Sequence, residues 1–157
     1  VAVNEAIRAV LPELLKTFQV VHLCGKGKID PTLANLEGYA QYEYIKEELK
    51  DLFALTDIVV SRAGANAICE LLALHKPNLL IPLPANASRG DQILNARSFE
   101  RQGFSIVLEE SEMTNETLLA AINRLYENRE IYTETMKQSS QQNSIDTIID
   151  LIESVAR

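Results

Sequence analysis

The sequence is poor in cysteine and in aromatic residues: its 157 residues include two cysteines, no tryptophan and only 6% aromatic residues. Cys24 and Cys69 lie far apart, and neither has a second cysteine or a histidine at metal-ligand spacing. This argues against a disulfide framework and against a metal site, and it favours a reducing compartment such as the cytoplasm. Long apolar runs are also missing. None approaches the roughly 20 residues of a membrane span, and no segment resembles a signal peptide.

Basic residues are the minority charge. Fifteen Lys and Arg against 22 Asp and Glu give a net charge of −7, whereas a nucleic-acid-binding protein needs a basic surface to neutralise phosphates. Hydrophobic residues make up 46% and charged residues 24% of the chain, which is ordinary for a globular protein and argues against disorder. The length suits one domain with its own core.

Short apolar runs alternate with amphipathic segments along the chain. Strands are predicted over residues 20–24, 57–61, 79–81 and 106–108, with 39–45 as a run of alternating aromatic and polar residues. Helices are predicted over residues 1–18, 47–55, 65–74, 92–102, 114–128, 129–138 and 144–155, with a short helix at 31–36 and a polar hinge at 138–143. This alternation predicts one α/β domain with a Rossmann-like parallel sheet and helices on both faces.

A few single residues carry local predictions. Pro12 is expected to kink or interrupt the first helix, and Asp30 is expected to cap the short helix that starts at Pro31. His22 lies within a predicted strand. His75 directly follows the helix predicted at 65–74 and falls on the same face as the core stripe of that helix. Both histidines are therefore expected to be structural.

The turn that follows the strand at 57–61 is the first candidate site. In an open parallel sheet, ligands bind beyond the carboxyl ends of the strands, where helix N-termini present free N–H groups. Gly64 allows close approach of the backbone, and the small residues after it leave the first helical N–H groups uncovered, which suits an anion such as a diphosphate. The turn is neither a P-loop nor a G-x-G-x-x-G fingerprint. Tight helix packing would explain it as well.

The helix after this turn carries a second indication. Asn66 and Glu70 are four residues apart, on the face opposite to the apolar stripe of that helix. A carboxylate at position 70 can accept hydrogen bonds from vicinal hydroxyls, as the acidic residue of a Rossmann fold does with a ribose. A solvated glutamate on an outer helix face is the alternative.

The loop at 85–92 is the second candidate site, because it follows a strand and is dense in side-chain donors and acceptors. Its polar groups suit a sugar, and Asp91 can also serve as the N-cap of the next helix. No Ser-His-Asp arrangement, H-E-x-x-H motif or pair of catalytic carboxylates is present. The sequence therefore predicts binding residues but no catalytic residue.

In this order and spacing, the motifs resemble the C-terminal, donor-binding domain of the MurG family. These are inverting glycosyltransferases of the two-domain GT-B fold. They transfer N-acetylglucosamine from its UDP-linked donor to the undecaprenyl-linked muramoyl-pentapeptide precursor of peptidoglycan. The resemblance covers nearly the whole chain, and its most specific segments are residues 61–65 with 70–71, 80–84 and 91–96.

The resemblance implies the residues that contact the donor. They are Tyr44 and Ile45 for the uracil, Gly64, Ala65, Asn66 and Ala67 for the diphosphate, Glu70 for the ribose, and Asp91 and Gln92 for the sugar. The family often has Gln or His where this chain has Asp91, a departure that affects the detailed sugar contact. No metal and no cofactor are implied.

The resemblance also implies what surrounds this domain. Residues 1–157 would be a single donor-binding domain without the first strand and the glycine-rich loop, which in the family lie just before the position of Val1. The N-terminal domain of the family supplies the acceptor site, the membrane-facing surface and the proposed catalytic base. The chain alone is thus expected to be inactive, with UDP-N-acetylglucosamine, an N-terminal acceptor domain and a lipid-linked acceptor as partners. The complete enzyme is expected to be cytoplasmic and peripheral on the membrane.

Two other functions fit parts of the same pattern. A soluble donor-binding subunit of a split UDP-sugar glycosyltransferase would look similar, although the start without Met and the motif at 91–96 favour the first interpretation. A nucleotide-sugar epimerase of related fold would also bind such a donor. It would normally carry carboxylate and histidine catalysts, and the sequence has no candidates for them.

Overall fold

The computed structural model describes residues 2–43, 49–84 and 90–139. The helices are α1 (Ala2–Leu14), α2 (Leu49–Leu55), α3 (Ala65–Ala73), α4 (Asp91–Gln102), α5 (Asn115–Glu127) and α6 (129–139), with short 3-10 helices at Pro31–Leu33 and Glu110–Glu112. The strands are β1 (Val20–Leu23), β2 (Tyr39–Tyr42), β3 (Val59–Ser61), β4 (Asn78–Leu80) and β5 (Ser105–Val107). Every strand pair is parallel, which confirms the predicted α/β class.

The strands form two hydrogen-bonded ladders where the sequence predicted one sheet. β1 pairs with β2, and β4 lies between β3 and β5. Within the described ranges, β1 and β3 therefore each have one edge without a ladder partner.

Both ladders share one hydrophobic core. Its buried members come from α1, from β4, from the residues directly after β4 and β5, and from α5: Ile7, Val10, Leu14, Leu79, Ile81, Leu108, Leu118, Ile122 and Leu125. Val20 of β1 and Val60 of β3 pack against the same cluster.

A second cluster covers the other face of the β3–β4–β5 ladder. Its members are Ala63, Ile68, Leu80, Ala96, Phe99, Phe104 and Met136. Leu79 and its neighbour Leu80 lie in different clusters because successive strand residues point to opposite faces. The two clusters confirm the prediction of helices on both faces.

The helix ends show where local sequence decides structure. Asp30 caps the short helix as predicted, with its carboxylate accepting the N–H of Thr32 at 3.0 Å, although that helix ends at Leu33. Helix α1 continues through Pro12, so the predicted interruption is wrong. Pro12 lies in the last turn of α1, where its missing N–H removes a hydrogen bond only near the end of the helix.

His75 does not lie on the core stripe of α3, because that helix ends at Ala73. It has a φ of 55°, and its N–H donates to the carbonyl oxygen of Leu72 at 3.1 Å. The N–H of Lys76 donates to the carbonyl oxygen of Leu71 at 3.0 Å. This pair of bonds is a Schellman motif, which usually has glycine at the left-handed position. His75 therefore has a structural role, as expected, but at the end of α3 and not on its core stripe.

Predictions that fall on residues 140–157, including the helix at 144–155 and most of the hinge at 138–143, lie outside the described residues. Among the described helices, none is both long enough and apolar enough to cross a bilayer.

Candidate functional site

The N-terminus of α3 lies at the carboxyl edge of the β3–β4–β5 ladder. Gly64 is the N-cap, with φ −66° and ψ 145°, and it makes no side-chain cap hydrogen bond. The first bond inside the helix runs from the N–H of Ile68 to the carbonyl oxygen of Gly64 at 3.0 Å. In the described part of the chain, the N–H groups of residues 65–67 are therefore left for an external acceptor, and the helix dipole favours an anion there.

The side chains at this terminus are small and leave it open. Ala65 and Asn66 are exposed, and Ala67 is half-buried. A Cβ added to Gly64 would meet only the Nε2 atom of Gln92, at 3.8 Å. Because the φ of Gly64 is −66°, any residue could adopt its conformation. The absence of a side chain at position 64 therefore leaves room for a ligand to approach the backbone of the turn.

Glu70 lies more than one turn further along α3 and is exposed. Ile68 and Leu71 are buried, which confirms that the helix is amphipathic with Glu70 on its outer side. Within the described residues, no hydrogen bond or ion pair occupies this carboxylate, so its oxygens remain available to accept hydrogen bonds.

The N-terminus of α4 provides the second set of predicted residues. Asp91 was predicted as a possible N-cap, and this is wrong: Gly90 is the N-cap, with a φ of 84°, and Asp91 is the first helical residue. Glycine reaches the left-handed region without steric penalty, which aspartate does not. The Asp91 side chain is exposed, in the first turn, where the helix dipole favours a carboxylate.

Gln92 links the starts of α3 and α4. Its Oε1 accepts the N–H of Ala63 at 3.3 Å and the N–H of Leu83 at 3.0 Å. One turn later, Nδ2 of Asn95 donates to the carbonyl oxygen of Ala63 at 3.1 Å. The predicted residues Gly64 and Gln92 are thus brought together, and Glu70 lies farther along α3.

Arg62 connects the segments that follow β3, β4 and β5 at the same edge. Its guanidinium donates to the carbonyl oxygens of Ile81 at 3.2 Å and Pro82 at 3.4 Å, and it pairs with Glu110 at 2.9 Å. Sequence reasoning missed the contacts of Arg62 and Asn95. A signal was available for Asn95, because Gln92, Asn95 and the buried Ala96 share one face of α4 at helical spacing.

A cavity of about 400 Å³ lies beside this edge, next to the first turn of α4. Its lining consists of prolines, one isoleucine and acidic or hydroxyl residues: Pro82, Pro84, Ile93, Glu109, Glu110 and Ser111. Both carboxylates are ion-paired, Glu109 with Arg97 at 2.8 Å and Glu110 with Arg62 at 2.9 Å. The predicted residues of α3 do not line this cavity, and their site is an open surface.

His22 belongs to a polar network at the carboxyl end of β1. Nδ2 of Asn4 donates to the carbonyl oxygen of Cys24 at 2.9 Å, which directs Oδ1 of Asn4 toward Nε2 of His22 at 2.9 Å. Nδ1 of His22 then accepts the hydroxyl of Tyr39 at 2.7 Å. Burial lowers the pKa of His22, and the nearby Arg8 cation lowers it further. The neutral histidine is structural, as predicted.

Two of the predicted residues, Tyr44 and Ile45, lie outside the described residues. In the ranges that are described, no group of three or more His, Cys, Asp or Glu side chains could hold a metal ion.

Comparison with known proteins places these features in a family. Residues 1–152 match the glycosyltransferase family 28 C-terminal domain. A relative from Lachnospira eligens is 64% identical over 152 residues, and one from Geobacillus thermodenitrificans is 59% identical over 155 residues. Both are named UDP-N-acetylglucosamine–N-acetylmuramyl-(pentapeptide) pyrophosphoryl-undecaprenol N-acetylglucosamine transferase.

These alignments cover 97% and 99% of this chain but only 43% and 44% of the two relatives, so the chain spans less than half their length. The crystal structure of MurG from Acinetobacter baumannii superimposes with a TM-score of 0.74 at 25% identity, over 98% of this chain and 46% of that one. The predicted resemblance to the MurG family is confirmed. This chain belongs to the glycosyltransferase family 28 C-terminal domains.

Proposed function

We propose that this chain is the donor-binding domain of an inverting glycosyltransferase. In the complete enzyme, N-acetylglucosamine would pass from UDP-N-acetylglucosamine to a lipid-linked muramoyl-pentapeptide during peptidoglycan synthesis. The observation that carries the proposal is the uncapped N-terminus of α3, open beside Gly64 and held against the start of α4 by Gln92. The names of the relatives, which match almost the whole chain, support the substrate.

Each group of the donor has proposed contacts. The N–H groups of Ala65, Asn66 and Ala67, after the N-cap Gly64, bind the diphosphate through hydrogen bonds and the helix dipole. Glu70 accepts hydrogen bonds from the ribose hydroxyls.

The two ends of the donor are assigned to other segments. Asp91 and Gln92, in the first turn of α4, face the sugar. The uracil contacts assigned to Tyr44 and Ile45 rest on the resemblance.

The chemistry of this domain is stabilisation of the leaving group. When the bond between the anomeric carbon and the diphosphate breaks, negative charge grows on the UDP oxygens. N–H groups fixed at a helix N-terminus stabilise that charge without rearranging. An inverting transfer also needs a base to deprotonate the acceptor hydroxyl, and no residue of this chain is assigned that role. The chain alone is therefore expected to transfer no sugar.

A parallel strand ahead of α1, which the resemblance implies, would account for the two separate ladders. α2 connects β2 to β3, α3 connects β3 to β4 and α4 connects β4 to β5, but α1 has β1 after it and no strand before it in the described chain. Asn4, near the start of α1, bonds to Cys24 at the carboxyl end of β1, and the chain returns from Leu14 to the amino end of β1. α1 therefore runs opposite to β1, as the helix of a strand–helix–strand crossover does.

A parallel strand ahead of α1 would lie between β1 and β3 and join the ladders into one sheet. Val20 and Val60 pack against a common cluster although their strands are not paired, which supports this position. The loop from that strand into α1 would reach the same carboxyl edge as the N-terminus of α3. This is where the glycine-rich loop of the resemblance would be.

The remaining parts of the proposal concern the environment of the complete enzyme. An N-terminal acceptor domain would face the donor site, and the enzyme would lie in the cytoplasm, peripheral on the membrane that holds the lipid-linked acceptor. The split-subunit alternative differs only in whether that domain is on the same polypeptide.

Calorimetric titration of the chain with UDP, UDP-N-acetylglucosamine and ADP tests the proposal. UDP and the UDP-sugar are expected to bind, and ADP is not. Equal binding of ADP would contradict the uracil contact, and no binding of UDP would contradict the proposed function. Sugar transfer by the chain alone would show that it holds a catalytic base of its own.

A further inference from the structure

The side-chain amide of Gln92 joins two separate loops at the candidate site. Its Oε1 accepts the N–H of Ala63 at 3.3 Å and the N–H of Leu83 at 3.0 Å. Ala63 immediately precedes the N-cap of α3, and Leu83 lies in the segment that leaves β4. A carbonyl oxygen has two lone pairs, so this one atom can serve both donors at once.

The nitrogen of the same amide has a different position. Nε2 would lie 3.8 Å from a Cβ built on Gly64, which puts it beside the turn that leads into α3. No acceptor within the described residues binds the hydrogens of Nε2. The atom is not among the fully buried polar atoms that lack a partner. The oxygen of Gln92 is therefore committed to the protein, while the nitrogen lies beside the turn at Gly64 with no acceptor among the described residues.

The backbone of Ala63 is held on both sides by α4. Its N–H bonds to Gln92, and its carbonyl oxygen accepts Nδ2 of Asn95 at 3.1 Å. Ala63 itself is fully buried. Because Ala63 is one residue from Gly64, these two hydrogen bonds hold the backbone next to the first N–H groups of α3.

We infer that Gln92 is a positioning residue for the diphosphate, acting through the backbone of Ala63 and Leu83, in addition to the sugar contact proposed for it. The inference rests on the proposed function. It assigns the two atoms of one amide to two tasks: Oε1 orients the helix terminus that binds the diphosphate, and Nε2 is the atom left for the sugar. A residue that only touched the sugar would not influence a ligand that lacks the sugar.

The affinity of Gln92→Ala for UDP separates these roles. Loss of the two backbone hydrogen bonds is expected to weaken binding of UDP by about tenfold, and binding of UDP-N-acetylglucosamine by at least as much. Unchanged affinity for UDP, with a loss confined to the UDP-sugar, would overturn the positioning role. Gln102→Ala is the matched control, because Gln102 is on the same helix and, among the described residues, its amide bonds only to Ser98, at 3.2 Å. That variant is expected to bind both ligands like the unmodified chain.

Amide hydrogen exchange without ligand tests the same contact independently of the proposed function. The N–H groups of Ala63 and Leu83 are expected to exchange faster in Gln92→Ala than in the unmodified chain. In Gln92→Glu, whose carboxylate keeps the acceptor oxygen, they are expected to stay protected. Unchanged exchange in Gln92→Ala would overturn the inference even if UDP binds. If the unmodified chain binds no UDP, the proposed function fails, while the exchange data still decide whether Gln92 holds the loops.

Discussion

The two parallel ladders of this domain differ in how completely they are surrounded. β4 has a partner on each edge, and Asn78, Leu79 and Leu80 are all fully buried. β1 has one partner, and its outward-facing residues Val21 and Leu23 are 44% and 39% exposed. Parallel strands normally have both faces covered, and within the described residues one face of β1 is only partly covered.

The two ladders are also held by different interactions. The β3–β4–β5 ladder is packed between apolar clusters on both faces. At the carboxyl end of β1, by contrast, side-chain hydrogen bonds between Asn4, His22 and Tyr39 connect α1 to both strands. Polar side-chain contacts thus tie α1 to the first ladder, and the strand proposed between β1 and β3 would give that ladder a further neighbour. The second ladder depends on packing and provides the rigid edge for the candidate site.

Truncating one leucine in each ladder tests the comparison most strongly. Leu79→Ala should lower the free energy of unfolding by about 3 kcal/mol, because it leaves a cavity in the core. Leu23→Ala should lower it by less than about 1 kcal/mol, because the side chain is partly in water. Urea denaturation of both variants measures this, and equal losses would contradict the claim that the ladders differ in packing.

Adding a strand between β1 and β3 should reduce the difference in burial between the two ladders. An N-terminal extension with an apolar strand of about five residues and a short glycine-containing turn should raise the stability by about 2 kcal/mol, or Tm by about 6 °C. The physical reason is burial of apolar surface between β1 and β3. An extension of equal length made of Gly and Ser is the control. Equal Tm values for the two extended chains would argue against an open position between the ladders.

Glu70 tests the functional side of the packed ladder. Glu70→Ala should weaken UDP binding by about 1.5–3 kcal/mol, the range for hydrogen bonds to a charged group, and should leave stability unchanged because the residue is exposed. Glu127→Ala, at an exposed glutamate of α5 far along the chain, should change neither quantity. A Glu70 variant with lower Tm and normal UDP affinity would show that the glutamate is structural.

The polar network of the β1–β2 ladder should make stability depend on pH. The pKa of His22 is lowered in the folded state, so the unfolded chain binds the proton more readily. The contribution of His22 is then complete above the unfolded pKa of about 6.5 and is lost as the pH falls from there toward the lowered folded pKa. In His22→Gln, the change of the free energy of unfolding with pH should be smaller by up to about 1.4 kcal/mol per pH unit. Urea midpoints at pH 7 and pH 5 measure it, and identical slopes would contradict the assignment.

Elements set by local chemistry were predictable from the sequence. The apolar runs gave the strands to within a few residues, and Asp30 and Gly103 act as the helix cap and helix end that their residue types favour. The competition between Gly90 and Asp91 could not be decided this way, because both residue types are common N-caps. The left-handed φ of Gly90 decides it, and that angle depends on the path of the chain.

The helical spacing of Gln92 and Asn95 indicated a shared face, but the partners of the side chains that organise the site were beyond sequence reasoning because they are distant in the chain. Arg62 reaches Glu110, 48 positions away, and Gln92 reaches Ala63, 29 positions away. No local pattern encodes such pairs. The composition of the turn at Gly64 did predict an open helix N-terminus, because small residues follow the glycine.

The central claim is that the N-terminus of α3 binds the diphosphate of the donor, and NMR titration of the backbone N–H signals with UDP tests it most directly. The largest shifts are expected at Ala65, Asn66 and Ala67, with smaller ones at Ala63. Shifts concentrated instead around the cavity lined by Ile93 and Ser111, with the signals of α3 unchanged, would contradict it.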